Sequence, residues 1–236
     1  MSWWRRMTGA PAGRAGAPEL RTAFLGHAPP SLPQVLGTIA GDREVRVLPL
    51  LLTAAYHSKA DIPRMLARTQ RPRVSYGATL GPHPLLLNAL ERRLAEALPI
   101  SGPISGPIPG PGADPAGTAV VLAAAGSSDP EANATIARMA AQWQARTGWF
   151  AVRPAYASAA APSPAAAVTS LLRAGAPRVV VATYLLAPGL FADRIRHAAL
   201  AAGAAAVSPA LGACAEVADV MLGRFAQTGS TRRTAA

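Results

Sequence analysis

Residues 24–65 read FLGHAPPSLPQVLGTIAGDREVRVLPLLLTAAYHSKADIPRM, and residues 155–196 read AYASAAAPSPAAAVTSLLRAGAPRVVVATYLLAPGLFADRIR. A constant shift of 132, with no gap, lays Phe24 on Tyr156, Pro30-Ser31 on Pro162-Ser163, Val47 on Val179 and Asp61 on Asp193. A shift of 131 then brings Leu80-Gly81 onto Leu211-Gly212 and Arg93 onto Arg224. Single matches arise by chance. Turns, apolar strand cores and helix starts matching in one order do not, and the chain reads as a duplication.

Each copy alternates strands with helices. In the second, AVVLAAA at 119–125 is a continuous apolar run of the buried-strand kind. GSSDP follows, where Ser128 or Asp129 can cap a helix with Pro130 in its first turn and Glu131 set against the helix dipole. Further strands are expected at 152–156, 178–185 and near Val207. Helices are expected from Ser163 to Ala174, from Phe191, and from Ala215 to Phe225. Such alternation predicts an α/β fold of two similar lobes, each a parallel sheet flanked by helices. In the first copy the shift places the counterpart of AVVLAAAGSSDP before residue 1, so that lobe is expected to lack its opening strand. Between the copies, residues 98–117 (LPISGPISGPIPGPGADPAG) carry too much Pro and Gly for a helix or central strand. The expected organisation is an irregular tail over 1–20, a first lobe over 21–97, a linker over 98–117, a second lobe over 118–226 and a tail over 227–236.

Composition narrows the function. Half of the 236 residues are hydrophobic, enough for a sizeable core. Cys214 is the only cysteine, which excludes an internal disulfide and a cysteine-based zinc site and suits a reducing cytoplasm. The N-terminal charges have no apolar stretch behind them, so no secretory signal is read there. The longest apolar run, 179–192, is too short to span a bilayer and contains Pro188. No membrane partner is expected. Lys plus Arg number 23 against 12 Asp plus Glu, with Lys59 the single lysine. A basic nucleic-acid-binding protein is one reading of that excess. The arginines are scattered, though, with few aromatics to stack on bases, so no nucleic-acid partner is expected. A small, highly acidic substrate is compatible, and so is an Ala- and Arg-rich compositional bias.

Ligands of open parallel sheets bind beyond the carboxyl ends of the strands. In the first copy VRVLPLLL, 45–52, reads as a buried strand, and TAAYHSKADIP leaves its end. His57 stands in that loop, and its repeat counterpart is Gly189, so building the fold unit does not require it. A neutral imidazole there could bind Fe²⁺, Co²⁺ or Ni²⁺ or accept a proton, or it is a plain surface histidine. His27 follows the strand expected at 21–25 and could face the same crevice. Asp61 reads as the N-cap of the helix opening at Ile62-Pro63, His83 as a cap, and His197 as a surface residue. There is no Walker loop, H-E-x-x-H or G-x-S-x-G.

PLLLTAAYHSKADIP, 49–63, resembles the metal-binding loop of the sirohydrochlorin cobaltochelatase/ferrochelatase family. FLGHAPPSL resembles that family's preceding strand and turn. VVLAAAGSSDPEAN, YASAAAPSP, VATYLLAPGLFADRI and AGAAAVSPALGACAEVADVMLGRF resemble the second half of its long, duplicated members. The resemblance covers about residues 21–225. It implies two α/β lobes with a cleft between them and insertion of a divalent metal, Co²⁺ or Fe²⁺, into a carboxylate-rich tetrapyrrole of the sirohydrochlorin type. No organic cofactor is implied, the metal being a substrate. His57 matches the family's histidine in the second metal-site loop, as ligand and proton acceptor, with Tyr56, Ser58 and Asp61 lining or bracing that loop. Tyr56 and Ser58 are assigned to substrate binding, and so is Arg64, which by charge and proximity is set to pair with the substrate's carboxylates.

Two departures stand out. The family's first metal-site histidine lies in an H-G-S/T loop, and the repeat copy here reads Ala125-Gly126-Ser127. The acidic residue usual after the Phe-Leu pair is replaced by Gly26. His27, next to it, is the candidate second metal ligand. A relative that binds metal or tetrapyrrole without inserting one into the other is the alternative reading.

Overall fold

The structure, a computed structural model, describes residues 18–26, 28–98 and 115–230. The N-terminal tail apart from 18–20, most of the Pro/Gly-rich linker, the last six residues of the expected C-terminal tail and His27 lie outside these residues. The described chain runs α1 (Leu32–Gly37), β1 (Val45–Val47), a π-helical turn (His57–Asp61), α2 (Ile62–Arg68), β2 (Val74–Tyr76) and α3 (Pro84–Ala97). It continues with β3 (Thr118–Ala124), α4 (Pro130–Arg146), β4 (Ala151–Tyr156), α5 (Pro164–Arg173), β5 (Arg178–Tyr184), α6 (Leu190–Ala201), β6 (Ala206–Val207) and α7 (Ala215–Ser230).

Contacts divide the chain into two units. One holds Gly81–Val217; the other holds the chain up to Leu80 together with the part from Ala218 onward. This division differs from the one expected at the linker. Helix α3, though it precedes the linker, falls with the second-copy sheet, because its apolar side carries the buried Leu86, Leu87, Leu90 and Leu94 and packs on β5 and β6. The last helix begins in one unit, ends in the other and runs past the expected boundary at 226.

The unit of residues 81–217 contains a four-stranded, wholly parallel sheet in the order β4-β3-β5-β6. Strand β3 is central, paired through its length with β4 on one side and β5 on the other. Its seven residues are all buried, as the unbroken apolar run foretold. A strand's side chains alternate between faces. Ala119, Val121 and Ala123 meet Val168 and Leu171 of α5 and Ile195 and Ala199 of α6. On the opposite face lie Val120 and Leu122, and α4 packs against β3 and β4. The caps follow the sequence: Asp129 accepts from Glu131 N at 3.0 Å, and Ser163 accepts from Ala166 N at 3.2 Å.

The other unit repeats the design with less sheet. Phe24 N donates to Pro30 O at 2.9 Å, and Tyr156 N donates to Pro162 O at 2.9 Å, so the duplicated turn closes identically in both copies. Ser31 opens α1 as Ser163 opens α5, here with its own N–H donating to Gln34 Oε1 at 2.7 Å. Among the described residues, however, β1 pairs with β2 alone, and nothing takes the place that β3 holds in the larger sheet. The segment expected as a strand over 21–25 is reduced to a single bridge, Phe24 to Ser31. The buried strand expected over 45–52 is regular only over Val45–Val47 and is half-buried there. Pro49, which has no N–H to give a ladder, and the lack of a second neighbour account for the early end. Phe24 is 46% exposed where its counterpart Tyr156 is 5%. Leu32, Leu36 and Ile62 form the small core of this unit, with Val45, Val47, Met65 and Tyr76 packed against it.

Candidate functional site

The segment leaving the carboxyl end of β1 turns into a wide helical coil over His57–Asp61 before α2 begins. Ile62 N–H returns to His57 O, five residues back. Pro63 has no N–H to offer the carbonyl four residues before it, which favours the widened ladder at this point. The coil is fastened from below. Ser58 is 8% exposed; its hydroxyl donates to Ala55 O at 3.0 Å and accepts from Ala55 N at 3.1 Å. The phenol of Tyr76, on β2, donates to Ser58 O at 3.1 Å. Burial pushes the Tyr76 phenol up from its ordinary range, so it stays a proton donor well into the alkaline region. Ser58, expected to contact substrate, is therefore turned inward, both of its hydroxyl functions spent on the loop.

His57, Tyr56 and Arg64 lie on the outer side. The His57 side chain is 56% exposed, and its Nδ1 lies 2.9 Å from Asp61 Oδ2. Tyr56 is exposed, its ring edge-on to the imidazole with centroids 6.0 Å apart, and Arg64 Nη1 donates to its hydroxyl at 3.3 Å. Asp61 is not the N-cap expected: its backbone is already helical, and its side chain accepts no helix N–H. The i,i+4 spacing within a coil already turning puts the carboxylate over the imidazole instead. Its repeat mate Asp193 likewise lies inside a helix, α6, whose cap is Gly189.

With Nδ1 engaged, Nε2 is the ring nitrogen left for a metal. An accessible imidazole, an exposed aromatic face and a guanidinium thus share one patch, which can take a metal ion together with a flat, acidic ligand. Among the described residues no three His, Cys, Asp or Glu side chains converge as a metal-binding group. His57 offers a single accessible ring nitrogen, and His27 lies outside the described residues. The other histidines are elsewhere. His83 caps α3, its Nδ1 accepting from Leu85 N at 3.2 Å, and His197 is exposed on α6. At the repeat copy of the H-G-S/T loop, Ser127 Oγ accepts from Asp129 N and Asn133 Oδ1 accepts from Ser127 N, both at 3.0 Å. That loop is closed on itself rather than armed. Asp61 does not cap the helix, and its contact with His57 fits the other expectation for it, that it braces this loop.

No helix among the described residues is long and apolar enough to cross a membrane. A sirohydrochlorin cobaltochelatase of Priestia megaterium is 30% identical over 184 residues, 75% of this chain, and the chain spans 57% of that relative's length. Two solved structures of sirohydrochlorin chelatase SirB are similar in fold. One, from Bacillus subtilis with Fe³⁺, has a TM-score of 0.69 at 24% identity, covering 92% of this chain and 84% of that one. The other, from Bacillus subtilis subspecies spizizenii with cobalt, has a TM-score of 0.65 at 22% identity, covering 89% and 80%. A multi-domain Deinococcus radiodurans protein with structural similarity to chelatases matches with a TM-score of 0.62 at 24% identity, over 85% of this chain and 44% of its own. The CbiX family model matches residues 5–97 and again 119–228, once for each copy of the repeat, and the chain belongs to the CbiX family.

Proposed function

We propose that this chain is a sirohydrochlorin chelatase that inserts Co²⁺ or Fe²⁺ into the macrocycle with release of two pyrrole protons. The observation that carries the reading is His57, an accessible imidazole 2.9 Å from the Asp61 carboxylate, in a loop that resembles the family's metal-binding loop. In the proposed reaction His57 Nε2 holds the incoming ion. Once the ion has passed to the macrocycle, the vacated nitrogen accepts one of the displaced protons. Binding must favour the bent macrocycle, whose nitrogen lone pairs tilt toward the metal, over the flat one. The exposed ring of Tyr56 offers a surface for the macrocycle, and Arg64, already oriented by the Tyr56 hydroxyl, pairs with a substrate carboxylate. The net charge of +11 draws a polyanionic substrate toward the protein. The reaction uses no organic cofactor, and a chain with one cysteine and this substrate belongs in the cytoplasm.

The test is incubation of the full chain with sirohydrochlorin and Co²⁺ or Fe²⁺, following the absorbance of the metallated product. Insertion faster than the protein-free control supports the reading. Binding of the macrocycle with no gain in insertion rate favours a non-catalytic relative.

A further inference from the structure

We propose that Asp61 is a positioning residue: its carboxylate fixes the tautomer and orientation of the His57 ring so that Nε2 presents its lone pair outward. The inference rests on His57 being the metal-holding nitrogen. Asp61 has given up the role its place before Ile62-Pro63 would ordinarily carry. It caps nothing, its side chain is only 29% exposed, and its Oδ2 lies 2.9 Å from His57 Nδ1. A carboxylate accepts and does not donate, so the neutral ring that meets it carries its proton on Nδ1 and leaves Nε2 bare. That is the form a divalent metal requires, and such a partner also raises the ring's strength as a ligand. The backbone leaves little freedom to the arrangement. Tyr76 and Ser58 pin the coil at the Ser58 carbonyl and at Ala55, and the imidazole is steered from one end of the coil by a carboxylate at the other.

Two readouts on the metal-free full chain separate this role from a merely structural one: the His57 tautomer, from ring ¹⁵N chemical shifts at a pH of about 8 where an ordinary imidazole is neutral, and the affinity for Co²⁺ alone. In Asp61→Asn the side chain can donate as well as accept. The Nε2–H tautomer should therefore gain population and Co²⁺ affinity should fall about 10- to 100-fold. Asp61→Glu should restore part of both, and Asp193→Asn should change neither. Retention of the Nδ1–H tautomer in Asp61→Asn, or of Co²⁺ affinity within about threefold, overturns the proposal. The same holds if the tautomer changes while affinity does not. His57→Ala separates the two levels: undiminished Co²⁺ binding there removes the site itself, whereas lost binding there with an unaltered Asp61→Asn removes only the role of Asp61.

Discussion

Arg92 of α3 grips Glu216 at the start of α7 with two parallel bonds, Nε to Oε1 at 3.0 Å and Nη2 to Oε2 at 2.6 Å. The guanidinium pulls the Glu216 carboxyl down to about 2, against the opposing effect of burial. A folded-state value below the unfolded one stabilises the fold above the ordinary carboxylate range and ceases to do so as pH falls through about 2. Glu216→Gln should therefore lower stability at neutral pH by about 1 kcal/mol, the pair being partly solvent-screened. Against the parent, that deficit should shrink steadily between pH of about 5 and 2. Denaturant titrations of both proteins across that interval measure it.

Gly126 has φ +84°, and a Cβ built there falls 1.9 Å from the main-chain oxygen of Ser158. A main-chain oxygen held in a parallel-sheet loop does not move aside cheaply, and the backbone conformation is itself unfavourable to a side chain. Gly126→Ala should cost about 3 kcal/mol or more, a loss legible in a thermal melt. Metal binding at the His57 loop should persist wherever the protein remains folded.

The two copies should respond differently to the same truncation. Leu122, on the central strand β3, is 0% exposed, whereas Leu50, beyond β1, is 38% exposed. Leu122→Ala should lose about 2–5 kcal/mol, and Leu50→Ala less than about 1 kcal/mol. Chemical denaturation of the pair measures the contrast. Equal losses would mean that the sheet of the first copy is as well covered as that of the second.

That contrast also marks how far the residues alone could be read. The run at 119–125 announced its strand because a strand buried on both faces needs nothing but apolar side chains, and the helices after it announced themselves through Asp129 and Ser163. The run at 45–52 is apolar but for Arg46, yet only Val45–Val47 forms a ladder: Pro49 interrupts it, and pairing also depends on a neighbour that apolarity does not reveal. The particular duties of Asp61 and Ser58 within their loop were less legible for a related reason. Both carry oxygens that suit several partners, and the choice among cap, ligand and brace is made by the coil geometry over His57–Asp61. That geometry was not apparent from composition or spacing. His57 drew notice because its repeat mate is Gly189, so the fold unit does not require it, and its assignment to metal came from the resemblance of its loop.

Tyr76 is expected to matter without touching any ligand. Tyr76→Phe removes the bond to the Ser58 carbonyl and should cost about 1 kcal/mol. Because it loosens the coil that carries His57, it should also weaken Co²⁺ binding, by less than Asp61→Asn does. Parallel titration of the two variants with Co²⁺ gives the order.

The central claim is that metal reaches the macrocycle through His57. It is tested most directly by the initial rate of cobalt insertion into sirohydrochlorin, followed by absorbance, for the full chain and for His57→Ala at equal concentration of folded protein. The account predicts that the parent inserts cobalt faster than free solution and that His57→Ala, its fold intact by circular dichroism, falls to the protein-free rate. Undiminished insertion by His57→Ala would contradict it.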